Sequence, residues 1–346
     1  MAEASLVVQT SFLGDVVLTT PLVRELAARG PVDVVVRPEA AALLRRNPDV
    51  RRVLVYDKRG ADGGLGGLWR TGRRLRGSGP YAAAYMAQGS PRSAVLALLA
   101  GCRERVGFDT SRNARALYTR VVCYRADRHH AERMWAFARP DEVPNADEVR
   151  PRLYPGAAER AAVEAVLAPL GGAPFVALAP GSVWATKRWP FYAELGAELA
   201  GEVAMVVVGG AGDHALAAAI EAGCPAGRVV DATGRLSLLA SAELLERAAL
   251  LVTNDSAPQH LASAMGTATL AIFGPTVPAF GFGPLAPGSV TVGVDDLACR
   301  PCDRHGPRVC PLGHWRCMRE QAPDAVAARV RAMLATSPPP PPVRHA

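Results

Sequence analysis

The chain predicts an α/β protein made of two Rossmann-like halves. Three observations carry that prediction. Short Val- and Leu-rich runs alternate with helical stretches along the 346 residues. The alternation restarts after Gly171-Gly172. The unusual polar turns follow the strands, which is where a doubly wound parallel sheet binds its ligands. The length suits two domains, and 49% hydrophobic against 21% charged residues is enough apolar chain to fill both cores.

In the first half, residues 5–9 read as a short apolar strand, 10–15 as a turn and 16–28 as a helix. Residues 32–37 form the next strand, 39–46 a helix and 52–56 a third strand, completing β-α-β-α-β. Residues 60–80 are rich in Gly and Arg and read as loop around a short helix near 68–75. A strand over 81–86 and a helix over 93–100 follow. Pro and acidic residues gather over 139–155, so a linker or boundary lies there, and the expected domains are 1–160 and 161–336.

In the second half, 175–179 is a strand that runs into Pro180-Gly181-Ser182, with a helix over 190–199. A strand over 203–208 ends in Gly209-Gly210-Ala211-Gly212-Asp213, before a helix over 214–222. Residues 229–231 are a short strand, 237–247 a helix and 250–253 a strand. A strand over 268–273 ends at Gly274-Pro275-Thr276, and 323–334 is the last helix, with proline at its first position. The tail over 337–346 contains five consecutive prolines and reads as disordered or polyproline II.

The densest polar turn is Asn254-Asp255-Ser256-Ala257-Pro258-Gln259-His260. It follows an apolar run and opens a small-residue run, which gives strand, sharp turn, helix N-terminus. Ser256 and Gln259 have capping-box spacing, and Pro258 sits in the first turn, where its missing N–H is harmless. A helix start offers backbone N–H groups and a partial positive charge, which suits a phosphate. Asp255 and His260 add a carboxylate and an imidazole that capping does not require, so the segment reads as an anion site.

Net charge is +7, and part of the excess falls between Lys58 and Arg76. Either this is a solvated basic surface, or it attracts an anionic partner such as nucleic acid, acidic lipid or acidic sugar. Only 6% of residues are aromatic and no recognition module is visible, which argues against nucleic acid. Residues 10–15 lack G-x-G-x-x-G, which argues against a nicotinamide dehydrogenase. No basic leader precedes an apolar core, and no apolar run approaches the ~20 residues of a membrane span. The expectation is therefore a cytoplasmic protein with reduced thiols, no transmembrane segment, and freedom to rest on a membrane surface.

Cys299, Cys302, Cys310 and Cys317 lie within one segment with His305 and His314. The first pair has metal-ligand spacing, whereas Cys310-x6-Cys317 is not a compact knuckle. A structural zinc, redox-sensitive thiols, and packed or loop cysteines remain open. The last is favoured, and no metal or other cofactor is expected.

Several of these segments resemble glycosyltransferase family 9, the heptosyltransferases of lipopolysaccharide inner-core assembly. They are Ser11-Phe12-Leu13-Gly14-Asp15, residues 180–190, Asn254 to His260, and Phe273-Gly274-Pro275-Thr276. The segment Cys299 to Cys317 is most similar to the heptosyltransferase II branch. The resemblance runs in consistent order over roughly residues 5–330. It implies a GT-B fold, two Rossmann-like domains with a cleft between them, the first binding acceptor and the second a nucleotide-sugar donor. It implies ADP-heptose as donor and inverting transfer to a core sugar, the second heptose onto the first, on a Kdo-lipid A-heptose acceptor at the inner face of the cytoplasmic membrane. The alternatives are a family 9 transferase with another core or O-antigen acceptor, or a non-catalytic nucleotide-binding protein.

On spacing alone, Asp15 reads as a first-turn helix Asp; the resemblance makes it the general base that takes the acceptor hydroxyl proton. Lys187 is a surface cation before a helix or, by resemblance, the cation on the donor diphosphate, with Ser182 and Thr186 adding hydroxyls. Arg188 reads as structural and Trp189 as core. Asp255, Ser256, Ala257 and His260 are donor ligands by resemblance, although a histidine this far into an apolar helix equally packs. The family carries an acid near the ribose where Gly212 stands here, so Asp213 is one residue late. Leu236 falls where the family packs on adenine, or is an ordinary buried leucine. Lys58, Arg59 and Arg92 are expected to meet anionic groups of the acceptor.

Overall fold

The computed structural model describes residues 4–336, so the expectation of a disordered tail over 337–346 lies outside the described residues. The chain divides between Tyr154 and Pro155 into two compact units, whereas the sequence suggests a boundary at 160.

The first unit holds β1 (Ala4–Val8), β2 (Val32–Val36), β3 (Arg52–Val55), β4 (Tyr81–Met86), β5 (Glu104–Phe108) and β6 (Arg120–Val122). They form one parallel sheet in the order β3-β2-β1-β4-β5-β6. All five residues of β2 are buried, as expected for a parallel sheet covered on both faces. Strand alternation feeds two cores. Val7, Val34 and Val36 pack with Leu22 and Phe137 on one face, while Leu6, Val8 and Val35 pack with Tyr56 and Met86 on the other. Strand order reverses between β1 and β4, so the ligand position of this sheet lies beyond their carboxyl ends, at Thr10 and Gln88.

Two helical readings change. The single helix over 16–28 is two, Leu13–Leu18 and Thr20–Ala27, because Pro21 in the first turn of the second cannot continue the ladder of the first. The loop with a short helix over 60–80 is one helix, Gly64–Ser78. Its five glycines lower helix propensity, but packing decides. A Cβ on Gly72 would stand 2.4 Å from Leu99 Cβ, so glycine lets this helix lie close against Pro91–Leu99.

The second unit repeats the plan with β7 (Phe175–Ala179), β8 (Ala204–Val207), β9 (Val229–Asp231), β10 (Leu250–Asn254), β11 (Thr269–Ile272) and β12 (Val290–Val292). Their order is β12-β11-β10-β7-β8-β9, all parallel. Both central strands, β7 and β10, are fully buried. The core joins Trp189, Tyr192 and Leu195 to Met318 and Val330, so the helix Pro323–Thr336 closes this unit's own core. The switch point lies beyond the ends of β7 and β10, at residues 180–183 and 255–258. Among the described residues no helix is long and apolar enough to cross a membrane.

Candidate functional site

A cavity of about 570 Å³ opens at that switch point in the second unit. Gly181 and Ser182 after β7, Gly209 and Asp213 after β8, Leu236, and Ser256 and Ala257 after β10 line it. Its size suits a nucleotide. The nine-residue helix Ala257–Met265 begins on its wall, bringing the positive end of a helix dipole to the cavity.

Asp213 enters the cavity despite standing one residue late in the turn. Its Oδ2 accepts a hydrogen bond from Gly210 N at 2.9 Å. A Cβ on Gly181 would stand 2.5 Å from its carboxylate oxygens, and one on Gly209 2.7 Å from Oδ2. Two glycine turns thus let this carboxylate settle between them, which the spacing of the motif alone does not reveal.

Beside the cavity lies a buried charge cluster. Lys187 Nζ donates to Asp255 Oδ2 at 2.6 Å, with the two side chains 11% and 9% exposed. Thr276 Oγ1 donates to the same oxygen at 2.7 Å, and Gln259 Nε2 donates to Oδ1 at 2.8 Å. The Ser256–Gln259 capping box is therefore not formed. Gln259 turns its amide to Asp255, and Ser256 makes no side-chain cap bond; a buried carboxylate is the stronger acceptor. Asn254 is a tie within the unit. It accepts from Trp189 N at 3.0 Å and donates to Pro180 O at 2.8 Å, joining the ends of β7 and β10.

Of the nine residues expected to bind donor, Ser182, Asp213, Leu236, Ser256 and Ala257 line the cavity. Thr186, Lys187, Asp255 and His260 are buried and do not line it. Thr186 Oγ1 donates to Pro307 O, and a Cβ on Gly306 would stand 3.3 Å from Lys187 Cε, so the cysteine-bearing segment packs on these two residues. His260 packs edge-on to Phe282, with ring centroids 6.4 Å apart. Trp189 is core and donates through Nε1 to Gln321 O at 2.9 Å. Arg188, read from sequence as structural, is exposed and lines the cavity, with its Nε donating to Ser182 O at 2.9 Å. The signal for Arg188 was its place in the turn after β7. The neighbouring lysine masked it.

In the first unit, Asp15 is the third residue of Leu13–Leu18. One carboxylate oxygen accepts from Phe12 N at 3.2 Å, and the other lies 3.7 Å from His130 Nε2. The capping role thus exists and leaves Oδ1 facing an imidazole. No sequence signal links His130, the first residue of His130–Trp135, to Asp15, because 115 residues of sequence separate them. Lys58 Nζ donates to Thr10 O at 2.8 Å. Burial, with repulsion from Arg37, Arg59 and Arg92, holds its ammonium below the ordinary lysine value. Of the three expected cations, Lys58 thus touches the turn that leads into Asp15, and Arg59 and Arg92 lie close enough to Lys58 to repel it, with Arg37 as an unanticipated fourth.

In the cysteine segment, Cys299 Sγ lies 3.9 Å from His314 Nε2, and Cys302 Sγ lies 3.1 Å from Cys299 O. Among the described residues no group of three or more His, Cys, Asp or Glu is placed to hold a metal ion.

Comparison with known proteins fits this geometry. The lipopolysaccharide heptosyltransferase 1 of Pseudomonas aeruginosa is 29% identical over 95% of this chain and 97% of its own length. The lipooligosaccharide heptosyltransferase 2 of Haemophilus influenzae is 27% identical over 80% of this chain and 84% of its own. The solved structure of the E. coli ADP-heptose heptosyltransferase II superposes with a TM-score of 0.78 at 24% identity, covering 96% of this chain and 98% of that one. The expected GT-B fold is thereby met, with a parallel six-stranded sheet in each unit. Residues 68–314 match the family model of glycosyltransferase family 9 (heptosyltransferase), and a match over that much of the sequence shows that this chain belongs to that family of enzymes.

Proposed function

We propose that this enzyme moves a heptose from ADP-heptose to the inner core of lipopolysaccharide with inversion, adding the second heptose to the first at the inner face of the cytoplasmic membrane. The observation that carries the reading is the second unit's nucleotide-sized cavity, where Ser182, Arg188 and the helix start at Ser256 and Ala257 line one space. In this reading the helix start and Arg188 hold the diphosphate, Leu236 packs on adenine and Asp213 accepts from ribose hydroxyls. Lys187, with Thr186 behind it, supplies positive potential from beneath the helix start, and Asp255 holds that lysine in place. His260 braces the turn.

Asp15 is the general base. It takes the acceptor hydroxyl proton while that oxygen attacks the anomeric carbon. The bond from that carbon to the diphosphate oxygen breaks, and ADP leaves with the electron pair. His130 orients the carboxylate. Lys58, Arg59 and Arg92 pair with anionic groups of the acceptor.

Incubation with ADP-heptose and a mono-heptosylated Kdo acceptor is expected to release ADP and add one heptose to the acceptor mass. Asp15→Asn is expected to lower kcat by roughly a hundredfold or more with the melting temperature unchanged. Near-normal turnover in that variant removes the base assignment. A second reading, transfer of the first heptose onto Kdo, is favoured by the extent of the Pseudomonas match. Product on a Kdo acceptor lacking heptose, and none on the heptosylated one, would establish it instead.

A further inference from the structure

Neither the cavity of the second unit nor the Asp15 turn accounts for the outward face of the helix Gly64–Ser78. Its inward face is Gly67, Leu68, Thr71, Gly72 and Leu75, all buried. Its outward face is unusual in two respects. Arg70, Arg73, Arg74 and Arg76 are all exposed, and the helix contains no Asp or Glu. Leu65 and Trp69 are 83% and 52% exposed although they are the most apolar side chains on that face.

The arrangement is ordered. Leu65 and Trp69 are four residues apart and therefore neighbours on the helix surface. The Arg73 guanidinium stands 4.9 Å from the centre of the Trp69 ring, one turn further along. Arg70 donates to Ala61 O, and Arg74 donates to Val55 O. Among the described residues, the helix makes one ion pair, Arg74 to Asp62 at 3.7 Å. A solvated surface helix carries charge of both signs and covers its large apolar groups. This one shows one sign of charge around an exposed aliphatic–indole pair.

We propose that this face docks the protein on a bilayer that contains anionic phospholipid. Arginine pairs with lipid phosphate through two parallel N–H donors, which suits it to the headgroup layer. An indole is amphipathic and settles where headgroups meet acyl chains, with leucine reaching deeper. Fifteen residues make a helix of about 22 Å, long enough to lie along a surface and too short to span one. Charge complementarity selects an anionic surface, and the apolar pair selects lipid over a polyphosphate or nucleic acid, which would give Leu65 nothing to bury against. The purpose of docking rests on the proposed lipid-borne acceptor; binding itself does not.

The test is co-sedimentation of the full chain with vesicles of phosphatidylcholine alone and of phosphatidylcholine with phosphatidylglycerol. Binding is expected to the second and not the first, and to weaken with salt. Arg70→Gln with Arg73→Gln, and separately Leu65→Ser with Trp69→Ala, are each expected to reduce binding roughly tenfold or more. Both variants should keep the parent turnover on an acceptor lacking acyl chains, which also reports that they fold. Equal binding to both vesicles, or variants that bind like the parent, overturns the proposal. So does binding to a double-stranded oligonucleotide that matches binding to anionic vesicles. If vesicles bind while no heptose is transferred to any acceptor, the docking face stands and the transfer reading fails.

Discussion

Asp255 accepts from Lys187, Thr276 and Gln259 at once, and that satisfaction separates two neighbouring cations. Lys187 is buried against a carboxylate, and Arg188 is exposed at the cavity. Truncating Lys187 leaves Asp255 buried with its charge uncompensated, which costs about 3–5 kcal/mol for a fully buried pair. Lys187→Ala is therefore expected to lower the free energy of unfolding by several kcal/mol and to lose activity together with the fold's stability. Arg188→Ala is expected to leave stability within about 0.5 kcal/mol, the usual range for an exposed site. It should raise KM for ADP-heptose roughly tenfold, the loss of one charge-assisted contact. Chemical denaturation and steady-state kinetics on the two variants check both halves. A stable Lys187→Ala with raised KM would reverse the division. The sequence places both cations in one turn, and nothing local to it tells them apart. The distinction comes from Asp255, 68 positions away and folded against one of them.

At the scale of elements, what is legible is whatever local periodicity encodes. The strands of both central ladders and the helix start after β10 stand close to where the pattern puts them, because buried strands leave continuous apolar runs. The elements that escape are those that packing decides. β5 and β6 carry Glu104, Arg105 and Arg120 in an outer position of the first sheet. The helix Gly64–Ser78 carries five glycines. Propensity alone would have Gly72→Ala stabilise that helix by about 1 kcal/mol. Packing requires the opposite, because the new Cβ stands 2.4 Å from Leu99 Cβ and 2.8 Å from its Cδ1. The two helices must separate, at about 1–3 kcal/mol for overpacking. Gly72→Ala is thus expected to lower the denaturation midpoint, and a raised midpoint would show that Leu99 can yield.

At the scale of the whole molecule, each unit places its candidate site residues beyond the carboxyl ends of its strands, and the first unit anchors the opposite end of its sheet with a charge. Asp33, two residues into β2, has a fully buried side chain. Arg51 Nε donates to it at 2.8 Å, Tyr81 Oη at 2.6 Å and Arg52 Nε at 3.1 Å, so one carboxylate ties the starts of β2, β3 and β4. Burial alone would raise its pKa. The bonds from Arg51, Tyr81 and Arg52 outweigh burial and hold it below the usual aspartate value. A carboxyl whose pKa is depressed by folding contributes stability that is fully present above its unfolded pKa of about 3.9 and is lost as pH falls through the lower folded value. The two arginines are 38% and 41% exposed, so solvent screens the pairs. Asp33→Asn should therefore cost about 2–3 kcal/mol at neutral pH, less than a fully buried pair. Below about pH 4 the gap between parent and variant should narrow, because the parent's carboxylate is itself being protonated while the amide has nothing to lose. Denaturant titrations at neutral and acid pH measure that gap directly. A gap that stays constant down to about pH 2 would mean that Asp33 stabilises the sheet by packing and neutral hydrogen bonds, with its charge contributing nothing.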